Sequence, residues 1–288
     1  MQDDTLKWSI LGVGQAGHHR VKAIQNDSRS ELVGVCRGRY APRSGAQVFG
    51  TPLEAIRRAD AVYVCSPIEE HEKQIRMALE ADKHVATEYP LALDVDVAQD
   101  LFRLAITRKR ILHVGHIELL SGVARTLSAH LTPRDVRRVD LSFATGGPPL
   151  EGPALAFRNV ARLHRLLAVA GPVLAIKHVH HGAGELLASV ELRTGGSANL
   201  AFRQAPNLRR HTVMEVLTSR GRWQQVNRDL YLEGNETTVL DPGPVFEADH
   251  RFVTARILDE SENYVSEERI IAVLALAAAL RDGTRGPV

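Results

Sequence analysis

The stretch "WSILGVGQAGHHR", residues 8–20, constrains the fold more than any other. A short apolar run from Trp8 to Leu11 ends in Gly12, Gly14 and Gly17, spaced G-x-G-x-x-G, and a helical pattern follows. Each glycine has a physical reason. One allows the tight turn, one lets a pyrophosphate approach the backbone, and one lets helix pack on strand. The free N–H groups and positive dipole end of the new helix then point at the phosphates. A second apolar run, "ELVGVC" at 31–36, completes a strand–helix–strand unit. Gly12, Val13, Gly14, Gln15, Ala16 and Gly17 are therefore expected to bind a dinucleotide. The alternative is a merely structural glycine turn.

The residues after the second strand select the cofactor. A carboxylate there binds the ribose hydroxyls of NAD. This chain has "CRGRYAPR" instead, with Arg37, Arg39 and Arg43 and no acid. Guanidinium groups suit a 2′-phosphate, so NADP(H) is expected over NAD(H). A solvated basic loop is the alternative.

Alternation continues along the first half. "AVYVCSP" reads as a buried parallel strand and "IEEHEKQIRMALEAD" as an amphipathic helix. "KHVATEYP" is the next strand. "DVDVAQDLFRLAITRKR" is a helix with Asp94 placed as its N-cap, and "ILHVGHIELL" is a further strand. Strands and helices at this spacing imply a mostly parallel sheet covered on both faces. Ligands of such sheets sit beyond the carboxyl ends of the strands. Ser66, Pro67, Glu88, Tyr89, His113 and His116 all fall at such ends.

The chain has 288 residues, 44% hydrophobic and 24% charged, enough for two ordinary globular domains. A net charge of only +2 argues against a general polyanion binder, so no nucleic-acid partner is expected. No run is long and apolar enough for a membrane span. The opening "MQDDTLKW" is acidic where a signal peptide is basic, so a cytoplasmic protein is expected. Cys36 and Cys65 lie in apolar runs and read as small buried hydrophobes. His113 and His116 lack a third ligand, and "KHVHH" at 177–181 lacks a carboxylate, so no metal site is expected.

"GVGQAGHHR", "VYVCSPIEEHEKQIRMALEADKHVATEYP" and "ILHVGHIELL", in this order, resemble the glucose–fructose oxidoreductase/inositol dehydrogenase (Gfo/Idh/MocA) superfamily. "FEADHRFVTARILDE" and "SEERIIAVLALAAALRD" support the resemblance more faintly in the second half. It implies a Rossmann domain over 1–120, then an α+β domain over 121–288 with a large, mostly antiparallel open sheet. The closing helix is free to pack back on the first domain. The resemblance also implies that Ser66, Pro67, His71, Glu88 and Tyr89 line the cofactor. A packing role is the other reading of His71.

One departure matters for the chemistry. The sugar and polyol dehydrogenases of that superfamily carry Glu-Lys-Pro at this strand end, and their lysine helps move the proton of a substrate hydroxyl. Here the triplet is Glu88-Tyr89-Pro90. A phenol titrates near 10 and is neutral at pH 7, so it does not replace an ammonium. The Glu-Tyr-Pro version, with "ILHVGHIELLSGV" and "FRNVARLHRLL", resembles bacterial, especially cyanobacterial, biliverdin reductases. That resemblance implies NADPH-dependent reduction of a linear tetrapyrrole. Hydride goes to the central methine and a proton to a pyrrole nitrogen, assisted by Arg162, with Tyr89 and Glu88 also catalytic. His116, Arg158, Arg162 and Arg165 would hold the bilin. Gly115 departs from the family by standing where an acid is common.

Arg158, Arg162 and Arg165 are spaced four and three apart, which is one helical face. A solvated charged face is the alternative to propionate binding. The second half otherwise reads as strands with glycine-bearing turns. One face of that sheet is expected to pack on helices 154–170 and 246–260, leaving the other open. With aromatics at 5%, stacking on a bilin would fall to Tyr89, Phe157, Phe202 or Trp223. Two other readings stay open: a superfamily oxidoreductase acting on a sugar-like or imine substrate, and a non-catalytic NADP-binding protein. The sequence leaves oligomeric state open.

Overall fold

The computed structural model describes residues 5–36 and 46–288. Arg37, Arg39 and Arg43 lie outside the described residues. The chain divides into two compact units. One comprises residues 1–117 and 243–267, the other 118–242 and 268–288.

The first unit opens with β1 (Leu6–Leu11), α1 (Gln15–Gln25) and β2 (Ser30–Cys36). It continues through β3 (Gln47–Phe49), α2 (Pro52–Arg58), β4 (Ala61–Val64), α3 (His71–Glu80), β5 (His84–Glu88), α4 (Val95–Thr107) and β6 (Leu112–Gly115). Its sheet runs β3-β2-β1-β4-β5-β6 with every pairing parallel. The order reverses between β1 and β4, the point at which such sheets bind ligands. Helices cover both faces, so β4 is buried at all four residues and reads as an unbroken apolar run. Local signals fix the helix starts. Thr51 and Glu54 form a reciprocal capping box on α2, and Asp94 accepts the N–H groups of Asp96 and Val97 at the start of α4.

The second unit holds α5 (Gly122–His130), β7 (Val136–Thr145), α6 (Gly152–Arg158) and α7 (Val160–Ala170). Then come β8 (Val173–Gly182), β9 (Glu185–Leu192), β10 (Ser197–Gln204), β11 (His211–Thr218), β12 (Gly221–Val226), β13 (Asp229–Leu232) and β14 (Asn235–Thr237). The chain closes with α8 (Val245–Leu258), α9 (Glu267–Asp282) and β15 (Gly286–Pro287). Among the described residues nine strands form one sheet, ordered β14-β13-β12-β11-β7-β10-β9-β8-β15. Only β7 and β10 pair in parallel. Side chains alternate: Val139, Leu141 and Phe143 are buried, while Asp140 and Ser142 face an open concavity of about 410 Å³.

Two expectations change. The helix at 246–260, expected against this sheet, falls instead in the first unit. As α8 it lies beside α1. Its Val253 joins the core of Trp8, Ile10 and Tyr63, and its His250 meets the Tyr63 hydroxyl at 3.0 Å. The closing helix, α9, falls in the second unit from residue 268. Phe157, Phe202 and Trp223 are all buried, because each sits on the inward side of its helix or strand. They are core residues, and Tyr89 alone of the four stacking candidates is half-buried. No described helix is long and apolar enough to cross a membrane.

Candidate active site

At the reversal point of the first sheet lies a cleft of about 230 Å³ lined by Leu11, Gly12, Cys36, Ser66, Pro67 and Gln74. The glycine turn forms one wall. Gly12 has φ +89°, and a Cβ there would lie 2.6 Å from the Ser66 backbone. A Cβ on Gly17 would lie 2.2 Å from the Gly12 carbonyl oxygen. Both positions need glycine for close packing inside the chain. Gly14, the residue before α1, differs: a Cβ there would meet nothing within 4 Å. The turn is thus closed toward the strand and open where a pyrophosphate would approach, so these residues fit a dinucleotide. Val13 points into the core, Gln15 is exposed and Ala16 half-buried.

Ser66 donates its hydroxyl to Gln74 Oε1 at 2.8 Å. His71 is buried, with Nδ1 2.8 Å from the Pro90 carbonyl and Nε2 2.9 Å from the Ser66 carbonyl. Carbonyls only accept, so the ring is committed to backbone. His71 ties the chain after β4 to the chain after β5.

Glu88 ends β5, and Tyr89 follows it with a cis bond to Pro90. The Tyr89 ring stacks on His116, with centroids 5.8 Å apart and planes 12° from parallel. Glu88 Oε1 accepts from Arg20 Nε at 2.7 Å. Arg20, fully buried on α1, also donates from Nη1 to Asp249 Oδ2 of α8 at 2.5 Å. Asp249 Oδ1 meets His113 Nε2 at 2.9 Å and accepts the Tyr264 hydroxyl at 2.5 Å, while the His116 backbone N–H donates to that hydroxyl. Burial alone would raise the Asp249 carboxyl. Arg20 and His113 outweigh it and hold the group well below the usual carboxylate range. Gly115 is part of this arrangement, since a Cβ there would lie 2.4 Å from Arg20 Nη2 and 3.0 Å from Asp249 Oδ2.

In the second unit the expected single face of Arg158, Arg162 and Arg165 does not form. Asn159, at φ −108° and ψ 17°, separates α6 from α7, which leaves Arg158 exposed on one helix and the other two buried on the next. Arg162 is 7% and Arg165 4% exposed, which excludes a solvated charged face for them. Both pair with Glu118, at 3.3 and 3.6 Å, and Arg210 approaches it at 3.9 Å. The Arg162 guanidinium lies 3.9 Å over the Phe143 ring. Arg162 Nε and Arg165 Nε and Nη2 have no partner among the described residues. Burial pushes the Arg165 guanidinium down, Glu118 offsets this in part, and Arg162 adds to the lowering.

Sequence reasoning missed Arg20, Asp249, Tyr264, Glu118 and Arg210. Only Arg20 carried a signal: it falls on the same turn as Val21 within the buried side of α1, where a charge demands a partner. Among the described residues no group of three or more His, Cys, Asp or Glu side chains could hold a metal ion.

Residues 6–116 match the Gfo/Idh/MocA oxidoreductase family, with its NAD-binding Rossmann fold. The chain carries a Gfo/Idh/MocA oxidoreductase domain. This oxidoreductase is 28% identical to mouse biliverdin reductase A over 246 residues, covering 79% of this chain and 82% of that protein. It is 32% identical to an inositol 2-dehydrogenase of Rhodococcus jostii over 121 residues, covering 38% and 33% of the two chains. Its fold is similar to that of a Synechocystis biliverdin reductase solved with biliverdin and NADP+, with TM-score 0.86, 22% identity, and 96% and 98% of the chains covered. The oxidoreductase is NAD(P)-dependent.

Proposed function

We propose that this oxidoreductase reduces a linear tetrapyrrole, biliverdin to bilirubin, with NADPH. The observation that carries the reading is the pair of buried arginines sharing one carboxylate. Arg162 and Arg165 bring two positive charges to Glu118 and leave N–H groups unpaired. A buried excess of cation with free donors calls for an anion, and a bilin carries two propionates. The long match to biliverdin reductase A supports the same reading. Tyr89, neutral where the polyol enzymes have lysine, opposes alcohol oxidation.

The division of labour follows from the residues. Gly12, Gly14, Gly17 and the start of α1 hold the pyrophosphate, while Ser66 and Pro67 line the same cleft. His71 fixes the two strand ends rather than touching the cofactor. When bound, NADPH supplies the hydride for the central methine. A pyrrole nitrogen gains basicity as that hydride arrives, and Arg162 stabilises the developing charge. A guanidinium keeps its proton far above neutral pH and is a poor acid, so the proton comes from a water or a propionate. Arg165 holds a propionate. Tyr89 and His116, already stacked, offer a planar surface to a conjugated ring. Arg158, exposed on α6, has no part in this reading.

Purified protein mixed with NADPH and biliverdin tests it through the visible spectrum. The long-wavelength bilin band should fall as the bilirubin band rises. An unchanged band, with NADPH bound, overturns the reading in favour of another substrate or a non-catalytic role. The preference for NADPH rests on Arg37 and Arg39 in the sequence. Arg37→Glu should shift the NADH-to-NADPH ratio of kcat/KM upward by roughly tenfold, the worth of one contact of about 1.4 kcal/mol. An unchanged ratio refutes it.

A further inference from the structure

Arg20 is held by two rings and two carboxylates. Its guanidinium carbon lies 4.8 Å from the Tyr63 ring centroid and 4.9 Å from that of Phe246. Its Nη1 meets Asp249, and Gly115 leaves the room its Nη2 occupies. Of its two acids, Asp249 is fully buried and Glu88 leads toward solvent, with a side chain 14% exposed. A rigid donor fixed by a buried carboxylate and two ring faces therefore ends on a carboxylate at a strand end, next to Tyr89. A pair serving only to hold α8 on α1 would need Asp249 alone.

We propose that Arg20 is a positioning residue of the reaction, which fixes the carboxylate of Glu88 beside Tyr89 and is itself fixed by Asp249 and by the space at Gly115. The inference rests on the reading of Glu88 and Tyr89 as part of the nicotinamide site. It explains Gly115 without invoking a decayed site. Any side chain there would push the guanidinium off its two acids, so the acid serving His113 comes from α8 instead, as Asp249. Lysine is not an equivalent, because one ammonium cannot repeat two directed N–H bonds from a planar fork.

The test is a double-mutant cycle between positions 20 and 88. Arg20→Lys and Glu88→Gln should each lower kcat for biliverdin by about tenfold or more, with the Kd for NADPH changed less than about twofold. The double variant should be no slower than the slower single one, because residues acting as a unit are not additive. Gly115→Ala, which removes no charge, should reproduce the Arg20→Lys loss and likewise add nothing to Glu88→Gln. Multiplying losses, or a fall in melting temperature with kcat intact, would make Arg20 a purely structural residue and overturn the proposal. The fluorescence of bound NADPH is read over the same four proteins and needs no acceptor. Both single variants should shift it alike and the double no further. If the wild-type protein leaves biliverdin unreduced, the substrate reading falls, and the fluorescence cycle still decides for or against Arg20.

Discussion

In the first unit one arginine, Arg20, stands between two carboxylates, Glu88 and Asp249. In the second, one carboxylate, Glu118, stands among three arginines, Arg162, Arg165 and Arg210. The two clusters use the same chemistry in opposite proportion. The first is rich in acid: burial works against the Arg20 charge, but the fields of Glu88 and Asp249 outweigh it and raise the guanidinium above its ordinary value. The second is left short of negative charge, with buried N–H groups unpaired. An acid-rich cluster holds its arginine, and on the proposed reading the cation-rich one takes a ligand.

Breaking the first cluster should cost the most stability. Asp249→Ala leaves Arg20 buried with half its partners and His113 without its acid. Urea unfolding should show a loss of about 3–5 kcal/mol, typical of a buried pair deprived of one member. Breaking the second should fall mainly on turnover. Arg162→Ala should lower kcat for biliverdin about a hundredfold, or ~2.7 kcal/mol of transition-state stabilisation, with NADPH affinity nearly unchanged. Equal losses in both would make Arg162 structural.

His164, between the two buried arginines on α7, asks how much more positive charge that helix accepts. Burial first, and Arg269 second, lower its pKa to about 3. The unfolded value is near 6.5, so below that pH the unfolded chain binds the extra proton and stability falls with falling pH. The loss should approach about 1.4 kcal/mol per pH unit between about 6.5 and 3. Melting curves of the wild-type protein and His164→Gln should diverge in that window and run parallel above pH 7. The smallest effect belongs to Arg210, which is 72% exposed and 3.9 Å from Glu118. Arg210→Ala should change stability by less than about 0.5 kcal/mol. A larger loss would mean that the cluster is less cation-rich at rest than its geometry implies.

The parallel sheet was legible because its signals are local: a glycine turn, apolar runs, and an N-cap at Asp94. β3 was missed, being three residues of which only Phe49 is buried. The cofactor cleft was legible for the same local reason. The arginine clusters were not, because helical spacing says which residues share a face only while the helix continues, and Asn159 ends it. Glu118 reads in sequence as one acid after a strand. Its role appears only when β7 and α7 are folded beside it. Asp249 is the extreme case, a partner 229 positions from Arg20 that no periodicity points to. Gly115 looked like a lost acid from the sequence, whereas in three dimensions it is room for a guanidinium.

α8 has a consequence for the order in which the protein is made. Synthesis delivers β1 to β6 first, then β7 to β14, and only afterwards the helix carrying Val253, His250 and Asp249. Until then Trp8 and Tyr63 lack part of their cover, and Arg20 has one acid where it needs two. The domain written first is therefore finished late. A nascent chain released before residue 245 would hold a complete glycine turn on an incomplete core.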